Sequence, residues 1–133
     1  MTMTKKIIET YHKVQAETAS PAQRVVMVYA GIVKNLKLAI KTFNETIPNK
    51  FEIIHNAVQL SEKLILELQL ALDKENGGEI ATNLESLYIF WRQHLSDANI
   101  EKDPAKIREV LSMVEELHKS WTVAERKMRI NDK

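Results

Sequence analysis

The sequence predicts an all-α protein: an antiparallel up-down-up-down four-helix bundle with a short N-terminal strap or helix. Three observations carry this expectation. Apolar residues recur at helical spacing through four long segments. Each boundary carries a cap or a breaker, at Ser20-Pro21, Pro48-Asn49, Gly77-Gly78 and Asp103-Pro104. The connections are short, so consecutive helices must run in opposite directions. At 133 residues the chain is one domain by length, and 3 Gly with 3 Pro are too few turn residues for a many-stranded sandwich or barrel.

Residues 1–17 are polar apart from Ile7, Ile8, Tyr11 and Val14, a spacing that suits a strap lying on something else. Helix one is expected over 20–45. Ser20 caps it, Pro21 takes the first position, and Gln23 completes a capping box. Val25, Val28, Tyr29, Ile32, Val33, Leu36, Ala39, Ile40 and Phe43 share one wide face. Met27 and Leu38 fall on the opposite side, with Gly31 beside them.

Helix two is expected over 49–73, with an inward face running from Ile53 and Ile54 through Ala57, Val58, Leu60, Leu64, Ile65 and Leu68 to Ala71 and Leu72. Leu66 and Leu70 point the other way, and Asn76-Gly77-Gly78 ends the helix and reverses the chain. Helix three, over 79–100, has Ile80, Leu84, Leu87, Tyr88, Trp91, Leu95 and Ala98 as its core stripe, with Ile89 and Phe90 off it. Helix four, over 103–130, starts on Asp103 as cap with Pro104 behind it. Its stripe runs Ile107, Val110, Leu111, Val114, Leu117, His118, Trp121, Ala124 and Met128.

Several function classes are set aside by composition. The net charge is +1 with both signs interspersed, so there is no basic stripe for nucleic acid. The longest apolar run, Val25 to Val33, is nine residues and far short of the ~20 that a bilayer needs, so membrane insertion is not expected. The N-terminus lacks the apolar region of a secretory signal, and there is no cysteine, which together point to the cytoplasm.

One metal signal needs testing. Di-iron bundles use Glu-x-x-His on two helices, and this chain has Glu52-Ile-Ile-His55 and Glu115-Glu-Leu-His118. Glu52 and His55 fall opposite the inward face of helix two. His118 lies roughly 14 Å further along a parallel helix, too far for metals that sit about 4 Å apart. Helix one supplies no inward Glu. His118 reads instead as a satisfied, partly buried histidine. With no phosphate loop and no nucleophile elbow either, the expectation is a protein with no catalytic residues, no metal and no cofactor, not an enzyme.

Three segments carry a family resemblance. The first is Tyr11-x6-Thr18-Ala19-Ser20-Pro21 leading to Val28-Tyr29-x-Gly31. The second is Gly77-Gly78-Glu79-Ile80-Ala81 followed by Asn83-Leu84 and Leu87-Tyr88. The third is Leu95-x2-Ala98-Asn99, then Asp103 and Leu117-x3-Trp121. In this order, over about residues 11–125, the sequence resembles the flagellin-specific export chaperones, the FliS family. It departs at Ala30, where the family usually has Asp, and at Ala16, where a larger hydrophobe is often seen.

The resemblance implies a cytosolic helical bundle that binds the disordered C-terminal region of flagellin, prevents its premature polymerisation and aids delivery to the flagellar type III export apparatus. The implied partners are flagellin and, as a chaperone–flagellin complex, the export gate. A structural or adaptor bundle that oligomerises or takes another amphipathic helix is the alternative. A disordered client folds on the surface that binds it, so a chaperone needs apolar side chains beyond its core. The off-stripe residues are the candidates: Met27, Gly31 and Leu38, then Leu66 and Leu70, then Ile89 and Phe90. Tyr11, in the strap, is expected to cover part of this surface.

Overall fold

The structure, a computed structural model, describes residues 20–131. Four helices make it up: α1 (Pro21–Phe43), α2 (Lys50–Ala71), α3 (Lys74–Glu101) and α4 (Pro104–Asn131). The start of α1 is held by the capping box. Gln23 N–H donates to Ser20 Oγ (3.1 Å), and Ser20 N–H donates to Gln23 Oε1 (2.9 Å). At the far end Lys50 Nζ donates to the Phe43 carbonyl (3.0 Å), satisfying one of the last-turn acceptors. Asp103 Oδ1 accepts from Ala105 N–H (3.0 Å) at the start of α4.

The chain reverses between α2 and α3 earlier than the glycine pair predicts. The α2 helix stops at Ala71, and Leu72 is extended (φ −60°, ψ 132°). Buried Asp73 then caps a further turn: Oδ1 accepts from Asn76 N–H (3.2 Å) and Oδ2 from Asn76 Nδ2 (2.8 Å). Gly78, at φ 54° and ψ −131°, breaks the helical path inside α3. An L-residue rarely takes that conformation, which is why glycine stands there. The long helix expected from Glu79 onward therefore follows one extra turn rather than a loop.

Cross-helix pairs show the directions. Arg24 meets Glu67 and Gly31 faces Leu64, so α1 and α2 are antiparallel. His55 with Asn99 and Gln69 with Arg92 do the same for α2 and α3. His94 with Glu109 and Glu101 with Lys106 oppose α3 and α4, and Lys37 with Glu115 and Tyr29 with Trp121 oppose α1 and α4. Each helix thus has two antiparallel neighbours, with α1 and α3 on one diagonal of the bundle.

The core fills from the four predicted stripes. Tyr29, Ile32 and Leu36, Ile54, Val58 and Ile65, Tyr88, Trp91 and Leu95, and Ile107, Val110 and Val114 are all fully buried. Aromatic rings occupy the centre. Tyr29 meets Trp91 edge-on (6.3 Å, 85°) and lies 6.2 Å from Trp121, while Tyr88 and Trp91 are 5.5 Å apart. One inward assignment needs correcting. Leu60 is 45% exposed, because it sits on the rim of the α2 stripe where no neighbouring helix covers it. The others expected on that face are buried or half-buried.

Candidate partner-binding surfaces

The off-stripe residues do not form one patch. Met27 (59% exposed) and Leu38 (44%) lie on the outer face of α1, three turns apart. Gly31 lies half-buried on the flank of that face that meets α2, where an added Cβ would come within 3.3 Å of Leu64 Cδ1. Its bare Cα thus faces Leu64 of α2 rather than the outer face.

A second surface is the groove between α2 and α3, of about 360 Å³. Leu66 and Ile100 give it apolar wall, and Arg92, Glu62, Lys63 and His55 give it charged and polar edges. Arg92 is steadied by donating from Nη1 to Gln69 Oε1 (3.1 Å). Burial pushes the Glu62 carboxyl above its ordinary value, opposed by the positive charge of Arg92 and by His55. Asn99 Nδ2 and His55 Nδ1 are 3.0 Å apart across one end of the groove, and Lys102 Nζ donates to Asn99 Oδ1. That donation orients the Asn99 amide, so its nitrogen donates to His55. Leu70, 75% exposed, follows Leu66 by one turn on the outer side of α2, and exposed Ile89 precedes Arg92 by one turn on α3.

Phe90 belongs to neither surface. It stacks on His94 (5.0 Å, 23°), whose Nε2 contacts Glu109 of α4 (2.9 Å), so it sits on the α3–α4 side. Tyr11 lies outside the described residues. Sequence reasoning passed over Ile100 and Phe51, exposed at 80% and 55%, and the polar edges of the groove. Helix periodicity flags Ile100 and Phe51 only as terminal residues, and a groove edge exists only once two helices are paired.

The Glu-x-x-His spacings do not converge. Glu52 and His55 are exposed on α2, and α2 and α4 lie on the other diagonal. Among residues 20–131 no group of three His, Asp or Glu is placed to hold a metal ion, and no helix is long and apolar enough to cross a membrane.

Comparison with known proteins fits this bundle. The chain matches the family described as flagellar protein FliS over residues 3–128. The chain belongs to the FliS family. Among its FliS relatives, the flagellar secretion chaperone of Vibrio cholerae is 33% identical over 121 residues, covering 86% of this chain and 85% of the relative. The Campylobacter jejuni chaperone of the same name is 34% identical over 114 residues (84% of each chain). The Salmonella typhimurium one is 32% identical over 120 residues (86% of each). The FliS match covers α1 to α3 and all but the last three residues of α4, so both surfaces lie within the matched residues.

Proposed function

We propose that this FliS-family protein is a cytosolic export chaperone for flagellin. It binds the disordered C-terminal region of flagellin, keeps it from polymerising early, and aids its delivery to the flagellar type III export gate. One observation carries the reading: the core is filled without Met27, Leu38, Leu70, Ile89 and Ile100, which remain exposed on separate faces of the bundle. Scattered apolar anchors on different faces suit a client that wraps, because a disordered chain can span surfaces that a folded partner cannot reach together. Wrapping buries on the order of 1,000–3,000 Å², and ordering the client consumes part of the gain, so the complex is tight and still releasable. The relatives' shared description as flagellar secretion chaperones supports the same reading.

The test is co-purification from cells making flagellin, followed by truncation of the flagellin C-terminus. A defined complex that is lost with that C-terminus is expected. A complex that survives the truncation, or none at all, overturns the proposal. Light scattering of the protein alone tests the adaptor alternative in its oligomerising form, which requires self-assembly.

A further inference from the structure

The α1 helix carries no acidic residue between Pro21 and Phe43, while Arg24, Lys34, Lys37 and Lys41 are all cationic. Neighbouring helices answer only two of these. Arg24 bonds Glu67 of α2 (2.7 Å) and Lys37 approaches Glu115 of α4 (3.4 Å). Lys34 and Lys41 are exposed and have no acidic partner among residues 20–131. At ~100° per residue they stand together on one flank of the Met27–Leu38 line, the flank toward α4. Along the axis they are two turns apart, about 10 Å: Lys34 lies between Met27 and Leu38, which are roughly 16 Å apart, and Lys41 lies about one turn beyond Leu38. Exposed Ala30 lies between Met27 and Lys34 along the axis, so that flank of the strip is low there.

We propose that the outer face of α1 is a docking strip for an acidic amphipathic helix. Its apolar side chains seat on Met27 and Leu38, and two carboxylates about two turns apart pair with Lys34 and Lys41. Charge complementarity selects this occupant. A basic or neutral helix would bury the same apolar area but leave both ammonium groups unanswered, and a second copy of α1 would set like charges against each other. The spacing serves a helix lying in either direction. In identifying the occupant as a segment of flagellin, the inference rests on the function proposed above; the chemistry of the strip does not.

The experiment measures fluorescence anisotropy with two probes: a flagellin C-terminal fragment, and a designed helical peptide with leucines on one face and two glutamates seven residues apart. The double variant Lys34→Glu with Lys41→Glu is expected to bind both probes at least about tenfold more weakly at low salt. The difference should shrink near ~0.5 M salt, where screening is strong. Lys34→Arg with Lys41→Arg should retain binding, and a peptide with lysines in place of the glutamates should prefer the reversed variant. If reversal loosens the end of α1, Lys34→Gln with Lys41→Gln gives the same reading with less disturbance. Undiminished binding of both probes to the charge variants overturns the inference and leaves the flagellin reading standing. A flagellin fragment that binds neither protein sinks that reading, and the designed peptide then decides the strip. Charge-dependent binding to anionic lipid vesicles with no binding of either helix overturns the inference in favour of a membrane surface.

Discussion

The phenolic oxygens of Tyr29 and Tyr88 lie 2.7 Å apart, fully buried, joining the diagonally opposed helices α1 and α3 at the centre of the bundle. A buried hydrogen bond contributes about 0.5–1.5 kcal/mol net to stability. Tyr29→Phe and Tyr88→Phe are each expected to destabilise by that order. The double variant should cost less than the sum, with a coupling of about 0.5–3 kcal/mol in denaturant titrations. Additive losses would show that the pair acts as two separate groups.

The same contact gives an alkaline limit. Burial first, and then the Tyr88 hydroxyl, raise the Tyr29 phenol well above its ordinary value of 10.0. Folding therefore holds the neutral form. The stability tied to it is complete below the unfolded value and is lost as pH rises from about 10 toward the folded value. Tyr29→Phe should flatten the fall in melting temperature over that range relative to the native protein. An unchanged profile would remove Tyr29 as its source.

The two glycines with a structural argument should respond oppositely. At Gly78, with φ 54° and open space around the missing Cβ, Ala brings backbone strain of about 1–3 kcal/mol and no clash. At helical Gly31, Ala gains up to ~1 kcal/mol of helix propensity. It asks only the end of the Leu64 side chain to yield from 3.3 Å, so a small net stabilisation is expected. Thermal unfolding of both variants checks this, and a Gly78→Ala protein as stable as the native one would refute the strain.

Client binding should separate from folding. Met27→Asp changes an exposed position and Leu66→Asp a half-buried groove wall, so both proteins should still melt cooperatively. Each is expected to bind a flagellin C-terminal fragment at least about tenfold more weakly, the loss typical of a buried apolar anchor. Native affinity in either variant would remove that residue from the site.

Deleting residues 1–17 tests the strap inferred from Ile7, Ile8, Tyr11 and Val14. If the segment competes with the client, its loss raises affinity and speeds association. Affinity and rates equal to those of the full chain would end the competition idea.

The four helices were legible because each carries a long stripe and a chemical stop. The Ser20–Gln23 box and Asp103 cap stand as their residues predict. The turn after α2 was not legible, because the glycine pair outweighs a lone Asp on paper. In the fold Asp73 is buried and caps an additional turn, moving the reversal upstream. Leu60 misled for a related reason: periodicity places it near the stripe but cannot say how far the neighbouring helix reaches. The candidate surface suffered most. Met27 and Leu38 were readable as outward residues, but Gly31 turned toward Leu64 only through helix pairing. The stacking of Phe90 on His94, one turn along α3, was open to the i,i+4 spacing and was passed over.

The short connection at Leu72–Asp73 holds α2 and α3 close at one end of their groove, while Asn99 Nδ2 and His55 Nδ1 span the other by a single hydrogen bond of 3.0 Å. The groove is thus closed by the covalent chain at one end and by an exchangeable polar contact at the other. If a partner segment seats beside Leu66, the His55 ring is the nearest polar reporter of it at the exchangeable end.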